Sequence, residues 1–441
     1  MALAAMDKRN GTTMALAVLI AINVLNFYDR NVTGALVEPV RKEFHLSDTQ
    51  VGLIGSAFIW LYALVGVPLG NIADRWSRKK LLVGGIVAWS ALTASAALAT
   101  SYATLLFTRL GFGVGEAAVA PTATSWIGDL FPARKRATPL ALFMIGVPLG
   151  GALAYFFSGP IAQAFGWRAA MVVAAAPALL LIPLLLRLQE PRRGAVESHH
   201  EATPTGLRAM LAVARIPTLW WIIASGALLN FNMYALGTFV PALLSRIYHV
   251  SLAQSGIDTG IIYAVGGITG SLIAGWLGDR VGGRGNGRLL CAAGVVILGA
   301  PASYFGILGG DMLTAVIFLT FSYGTLCMYY GLVYSAIQDI VAPAMRGTAM
   351  AIYFMAMYLC GASFGPLLTG KLSDMMARRA AEAAGSEQVT EAFKAVGLQQ
   401  AMLIMPVLAV LLAGVLYMGS RTIGRDIAKR AVVARQAMAG A

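Results

Sequence analysis

Apolar residues gather along the chain into long runs divided by short polar intervals. A run of about 20 mostly apolar residues has the length of a membrane-spanning helix. Runs bounded by charge, Pro or Gly number twelve, at about 14–36, 49–72, 80–99, 102–127, 138–163, 167–187, 217–244, 253–277, 288–309, 312–336, 347–370 and 399–419. The longest polar interval in the middle, 188–215, holds Glu190, Pro191, Arg192, Arg193, two histidines and Pro204. It predicts a linker between a six-helix bundle at 1–187 and a second at 216–441, which ends in a polar tail. The predicted class is an all-α integral membrane protein with twelve transmembrane helices. The Ala/Glu-rich stretch at 375–397 reads as a short helix between the last two spans.

Landmarks recur in the two halves. Gly70, Asp74 and Arg75 close the second run, and Gly275, Asp279 and Arg280 close the eighth, 205 residues later. Asp129 precedes Arg136 by seven residues, and Asp339 precedes Arg346 by seven, 210 residues later. Gly159-Pro160 and Gly365-Pro366 end the fifth and eleventh runs. Repeats in the same order and orientation predict two six-helix pseudo-repeats related by an axis along the membrane normal.

Composition then changes what the charge means. The 441 residues are 58% hydrophobic and 12% charged, with a net charge of +13. Soluble domains carry about 25% charged residues, so the excess of Lys and Arg reads as topology and not as a nucleic-acid footprint. Placing both termini in the cytoplasm puts 23 of the 33 basic residues on that side and 8 on the other, the asymmetry of a membrane protein with basic inner loops. A bacterial inner (plasma) membrane fits this count. Met1 to Thr13 is mixed and the first apolar run continues into Asp29 and Arg30, unlike a cleaved signal peptide. The cysteines (Cys291, Cys327 and Cys360) lie in apolar runs, and the four histidines lie in polar intervals. Neither disulfide framework, metal site nor membrane-buried histidine relay is expected.

Gly70, Asp74, Arg75, Arg78, Lys79 and Lys80 together resemble the loop signature of the major facilitator superfamily, and the resemblance covers nearly the whole chain. It implies the major facilitator fold and a cytoplasmic gate. Gly70 and Gly275 would let helices approach closely. Asp74 and Asp279 would accept hydrogen bonds at a helix terminus. The cluster of Arg75, Arg78, Lys79 and Lys80 would pair with acids such as Asp129 on the facing loop and hold the cytoplasmic side shut, and Arg136, Arg280, Asp339 and Arg346 are the further gate candidates. Arg78, Lys79 and Lys80 read equally well as stop-transfer charges. Asn26-Phe27-Tyr28-Asp29-Arg30, the stretch Arg109 to Ala117, and Tyr234 to Pro241 resemble the Spinster branch. That branch implies proton-coupled transport of lysophospholipids or sphingoid lipids. Organic anion:cation symporters carry a similar Asp-Arg pair and Arg/Glu pair, so a symporter of small organic anions is the alternative.

Ionisable residues inside a membrane run are costly and mark function. Asp29, Arg30, Arg109 and Glu116 lie well inside, all in the first half. Asn23, Asn26 and Arg30 share one helix face, and Arg109, Gly113 and Glu116 share another. Glu116, and after it Asp29, is the expected proton carrier. Desolvation raises a carboxyl pKa and a nearby Arg lowers it, so withdrawal of the Arg would draw in a proton. Arg30 and Arg109 stay charged and suit an anionic headgroup. A static ion-pair network is the structural alternative. Asp258 reads as an interfacial or capping residue.

The second half carries no interior charge besides Asp258. Its candidates are Asn230, Asn232, Tyr234, Tyr323, Tyr329, Tyr330, Tyr334 and Gln338, with Phe354, Met355 and Met357. Asn26, Asn230, Tyr234, Tyr330 and Tyr334 join the two arginines as the expected substrate contacts. A cavity charged on one side and aromatic on the other suits an amphiphile better than a sugar. Gly146-Val147-Pro148-Leu149-Gly150-Gly151 resembles the superfamily's antiporter signature but has a single residue between the first Gly and Pro. Helix packing explains it as well, so direction stays open. The expected mechanism is alternating access by a monomer, with no cofactor, no metal and no nucleic-acid partner, its ligands being an amphiphilic or anionic small molecule, protons and the bilayer. A membrane-embedded enzyme would need a nucleophile with a base, or a metal site, and no such constellation is present. A non-transporting receptor would not need two copies of the gate loop.

Overall fold

A computed structural model describes residues 2–131, 137–191, 207–281, 285–342 and 345–439, with the side chains of all of these but 2–10, 67, 70, 71, 73–75, 137, 207–209 and 433–439. Among them the chain forms only helices and turns. Eleven helices have the length and apolar composition of membrane spans: α1 Gly11–Ala35, α2 within Asp48–Arg75, α4 Tyr102–Leu130, α5 Thr138–Phe165, α6 Trp167–Arg187, α7 Pro217–Tyr248, α8 Leu252–Val281, α9 Gly287–Ile307, α10 Met312–Ile340, α11 Arg346–Ala383 and α12 Glu391–Val432. The twelfth expected span is α3, Arg78–Ala96, whose first three residues are basic.

Local chemistry sets the ends and the breaks. Ser47 and Ser101 open α2 and α4 with capping boxes, and Ser77, Ser251 and Asp311 accept backbone N–H groups at the starts of α3, α8 and α10. Each supplies an acceptor for N–H groups that have no partner within the helix. Pro121 lacks the N–H that would bond Ala117, and α4 breaks at Ala118, two residues after Glu116. Pro148 breaks α5 at Ile145 in the same way. Helices α8 and α11 each contain one widened π-helical turn, Ile262–Gly266 and Tyr358–Ala362. The 375–397 stretch is not a separate helix. It forms the end of α11 and the start of α12, joined by a turn. A Cβ on Gly397 would come within 2.6 Å of Ala377 N and Ser373 O, so the two extensions lie against each other.

Large apolar side chains such as Leu64, Phe107, Leu180, Leu272 and Leu313 are about 70% exposed, a surface that suits hydrocarbon and not water.

Contacts gather the chain into two compact units, Met1–His199 with Gly237–Ala264, and His200–Leu236 with Val265–Ala441. The first unit thus takes in the last part of α7 and the first part of α8. Close backbone approaches hold that segment on α1 and α5. A Cβ on Gly34 would meet Gly237 O at 2.4 Å, and one on Gly159 would meet Leu252 O at 2.8 Å. Within the same unit Gly113 lies against the Phe58 backbone of α2, and Gly115 against the Trp89 backbone of α3. The glycine repeat before Glu116 therefore lets α4 sit deep between α2 and α3, which carries Arg109 and Glu116 into the interior.

Candidate functional site

The interior of the first unit is built on one ion pair. Arg30 Nη2 lies 3.0 Å from Glu116 Oε2, and Arg30 Nε donates to the same oxygen at 3.1 Å. The guanidinium stands over the rings of Phe27, Tyr62 and Phe58 at 4.6, 4.8 and 5.4 Å. An aromatic box of this kind attracts the cation through its ring quadrupoles and keeps water from the pair. Glu116 Oε1 has no hydrogen-bond partner.

Asp29 and Arg109 do not form the second ion pair that the sequence allowed. Asp29 is fully buried, and neither carboxylate oxygen has a hydrogen-bond partner. Arg109 and Glu116 are its charged neighbours. Arg109, 1% exposed, donates to Thr33 Oγ1 at 3.1 Å, touches Met171 Sδ at 4.0 Å and stacks on Phe112, and its Nε is unused. The reason is positional. Asp29 precedes Arg30 by one residue and so points about 100° away around the helix. Asn26, also buried, leaves Nδ2 without an acceptor. Unmade hydrogen bonds at buried polar atoms are uncommon in folded proteins. Among the described residues of this unit Asn26, Asp29, Arg109 and Glu116 share that condition, as do the uncharged Ser56, Trp89, Ser90, Thr93, Thr122 and Trp126.

The second unit gathers aromatic rings instead. Tyr330 OH donates to Asn230 Oδ1 at 3.3 Å, and the Asn230 amide donates to Gly226 O at 2.9 Å and reaches Met357 Sδ at 3.2 Å. Tyr330 packs edge-on against Tyr329 and Tyr334, and Tyr334 against Tyr353 and Phe354. Tyr234 packs edge-on on Tyr358 and is a neighbour of Tyr330. All four second-half substrate candidates therefore lie in one region, tied by weak polar contacts. Tyr353, which joins Tyr329 by a 3.2 Å hydrogen bond, was absent from the sequence candidates. Its spacing from Met357 was the available signal.

At the basic end of each unit an arginine from the start of one helix meets an aspartate at the end of another. Arg78 pairs with Asp129, and Arg288 with Asp339, each 51 residues apart in sequence. Arg78 also binds Glu190, at 3.2 Å, and donates to Ser125 O and Pro191 O. Glu190 in turn accepts from Ser77 Oγ and from the backbone N–H groups of Arg78 and Lys79. Partial burial pushes the Glu190 carboxyl up, but these hydrogen bonds outweigh it and hold the group below the usual carboxylate range. Arg78, which read equally as a stop-transfer charge, is thus the partner of Asp129. In the second unit Arg430 donates to the carbonyls of Gln338 and Asp339.

The remaining gate candidates differ. The side chains of Gly70, Asp74 and Arg75, and the whole of Arg136, lie outside the described residues. A Cβ on Gly275 would meet nothing within 4 Å, while one on Gly331 of α10 would lie 3.0 Å from the Ala274 Cβ and 3.9 Å from Gly275 N, so α8 and α10 approach closely at this point. Asp279 is exposed, and Arg280 stacks on Trp276 at 3.8 Å. Arg346 is half-buried with an unused Nε. Asp258 accepts from Gln254 at 2.8 Å, as a helix-end residue does.

An ionic cluster at the opposite end of the first unit escaped the sequence reading. Arg246 binds Asp48 with two parallel hydrogen bonds of 2.8 Å and Glu38 with one of 2.7 Å, and Arg41 pairs with Glu38 at 3.1 Å. All four are buried. Nearby, Tyr155 OH donates to Gly237 O at 2.5 Å and its ring packs on Tyr263. Two-pronged geometry of this kind is the strong form of an ion pair. Glu43, farther out, accepts from Arg168 and Trp167, which hold its carboxyl below the usual range. Sequence could not pair residues about 200 positions apart that each looked like an ordinary loop charge. Among the described residues no group of three or more His, Cys, Asp or Glu gathers so as to hold a metal ion.

Comparison with known proteins gives this geometry a family. Residues 19–380 match the sequence profile of the Major Facilitator Superfamily. An MFS-type efflux pump of Mycolicibacterium smegmatis is 32% identical over 366 residues, covering 82% of this chain and 84% of that one. Protein spinster homolog 1 of Mus musculus is 32% identical over 397 residues, covering 84% and 74%. The crystal structure of a bacterial homolog of the human lysosomal transporter Spinster, inward-facing and unoccupied, superposes with a TM-score of 0.84 at 26% identity, covering 94% of this chain and 98% of that one. The twelve-helix plan with its repeated basic-end ion pair, taken with these matches, makes this chain an integral membrane transporter of the Major Facilitator Superfamily, of the Spinster-like kind, and not an enzyme.

Proposed function

We propose that the protein is a proton-coupled secondary transporter of lipid-like amphiphiles, of lysophospholipid or sphingoid type, working by alternating access. It lies in a bacterial inner membrane with both termini cytoplasmic, as the basic-residue count favours. The observation that carries this reading is the Arg30–Glu116 pair inside its aromatic box, beside a fully buried Asp29 carboxylate that has no ion-pair partner in contact and has Arg109 and Trp89 as neighbours.

The chemistry follows from competition for Arg30. A proton on Glu116 removes the charge that holds the guanidinium. Arg30 is then free to take the phosphate or carboxylate of a headgroup, bidentately and without changing its own charge. Loss of the proton restores the pair and expels the anion. Arg109, which lacks a carboxylate partner, adds a second positive group, and Asp29 is the second proton carrier. The tyrosines of the second unit supply aromatic surface with few hydrogen bonds to offer, which suits an acyl chain. That surface favours an amphiphile over the alternative, a small organic anion held by the same two arginines. At the far end the Arg246 cluster and Tyr155 form the outer closure, and the Arg78 and Arg288 pairs brace the cytoplasmic ends of their units.

Uptake or release of a fluorescent lysophosphatidylethanolamine by proteoliposomes, with glucuronate as competitor, tests the substrate class. The lysolipid moves and a large excess of glucuronate leaves its rate unchanged. Transport of glucuronate with an inert lysolipid would replace the amphiphile reading by the organic-anion one.

A further inference from the structure

The last stretch of α12 is one unbroken helix from Ile404 to Ala439, so it runs on past the apolar span into a polar tail. Along the span one side of it is exposed, at Val407, Val410, Leu411, Tyr417 and Met418. An apolar side exposed at membrane depth faces lipid. At about 3.6 residues per turn these five positions cover an arc of about 120°. Arg421, Arg425 and Lys429, at i, i+4 and i+8, fall in the same arc and are exposed. The side that meets hydrocarbon therefore turns basic directly after Tyr417, a residue type that collects at the membrane surface.

Contacts on the other side of the helix fix its rotation. Asp426 Oδ2 accepts from the Thr218 backbone N–H at 3.1 Å and from the Thr218 hydroxyl at 2.6 Å, at the start of α7. Arg430 donates to Gln338 O at 3.1 Å and Asp339 O at 2.7 Å, at the end of α10. An acid thus meets a helix N-terminus and a cation a helix C-terminus, the favourable match to each helix dipole. Ile423, on this same side, is buried. Asp426 and Arg430 are held by the protein in this way, whereas Arg421, Arg425 and Lys429 pair with no carboxylate among the described residues.

We propose that Arg421, Arg425 and Lys429 form a docking surface for the headgroups of anionic phospholipids in the surrounding bilayer. Helical rise puts Arg421 and Arg425 about 6 and 12 Å beyond Tyr417, and the headgroup layer is about 5–7 Å deep on each side of the hydrocarbon. Side chains on a helix lean towards its N-terminus, here back towards the membrane, and long basic ones extend to reach a polar surface. The guanidinium groups hold phosphate oxygens through charge-assisted hydrogen bonds, and Lys429 adds its charge to the field of the anionic surface. The occupant is a lipid and not a soluble anion, because the basic stripe continues the side of α12 that already faces lipid. A headgroup bound there bears on the start of α7 and the end of α10, which the same segment caps. The surface goes beyond the transport reading and depends on neither its substrate nor its proton.

Acetylation of lysines by an N-hydroxysuccinimide ester, read by mass spectrometry on the full-length protein in nanodiscs of phosphatidylglycerol or phosphatidylcholine, tests this. Lys80, exposed at the start of α3, reports the general surface potential. Lys429 reacts several-fold slower in phosphatidylglycerol than in phosphatidylcholine, and by a larger factor than Lys80. Arg421→Gln combined with Arg425→Gln, both at exposed positions, brings the Lys429 factor down to that of Lys80. Inorganic phosphate added to phosphatidylcholine nanodiscs leaves the Lys429 rate unchanged. Slowing of Lys429 no greater than that of Lys80, or slowing that survives the double substitution, would leave nothing beyond the surface potential. Slowing by phosphate alone would assign the stripe to a soluble anion. Each of these results overturns the proposal, whether or not the protein moves lysolipids.

Discussion

The two units carry the same ion pair at their basic ends and opposite chemistry in their interiors. Arg78–Asp129 and Arg288–Asp339 have identical sequence separation. Inside, the first unit holds four charged side chains, and the second holds tyrosines joined by single hydrogen bonds. A duplicated chain keeps its copies alike where both must end and brace helices in the same way. It lets them diverge in the chemistry of their interiors. Even the shared pair has diverged in surroundings. The Arg78 and Asp129 side chains are 0% and 15% exposed, against 22% and 38% for Arg288 and Asp339.

The interior contrast breaks most sharply at Arg30. Arg30→Ala strands Glu116 in the aromatic box, and a buried charge left without its partner costs about 3–5 kcal/mol. Thermal unfolding in detergent shows the loss, and Arg30→Ala combined with Glu116→Gln recovers most of it, because the stranded charge is gone. The basic ends sharpen the comparison at a smaller scale. Arg78→Ala destabilises by about 2 kcal/mol or more, since it leaves partly buried hydrogen-bonded carboxylates behind. Arg288→Ala costs about 1 kcal/mol, because its half-buried pair is more open to solvent screening. Equal effects in the two would remove burial as the difference between the copies. Least affected is Tyr330→Phe, which loses one long hydroxyl bond to Asn230 and about 0.5 kcal/mol while the ring contacts stay.

Glu190 adds a pH dependence to the ion pair of the first unit. Its carboxyl lies below the usual range when docked on Ser77, Arg78 and Lys79. Its contribution is therefore complete above about pH 4.3, the ordinary value for a free glutamate, and is lost as pH falls through the lowered value. Hydrogen-exchange protection of the Arg78 and Lys79 amides stays constant from neutral pH down to the ordinary glutamate range and drops in more acidic buffer. Glu190→Gln weakens that protection at every pH.

Much of this was legible because membrane physics writes itself into single residues. Hydrocarbon demands long apolar runs, and a charge inside one, such as Arg30 or Glu116, stands out without any structure. Two helix faces put two acids and two bases within reach of one another, and folding selects Arg30 as the partner of Glu116. What stayed hidden depended on distances between segments far apart in the chain. Arg246, Asp48 and Glu38 each looked like a charge in a connecting stretch, and only folding brings them within 3 Å. Arg78 was ambiguous for the same reason, as a cation after a span suits both topology and a specific partner. Asp29 and Arg109 share an interior without forming an ion pair, a distinction of side-chain direction that spacing does not carry.

The central claim is that Glu116 carries the proton that drives transport. Proteoliposomes containing the protein or its Glu116→Gln variant, loaded with a pH-sensitive dye and given a lysophospholipid under an imposed pH gradient, test it in one experiment. In the unaltered protein the gradient accelerates lipid movement, and lipid movement dissipates the gradient. Glu116→Gln loses both responses while still exchanging lipid without a gradient. Gradient-driven transport that persists unchanged in Glu116→Gln would contradict the account.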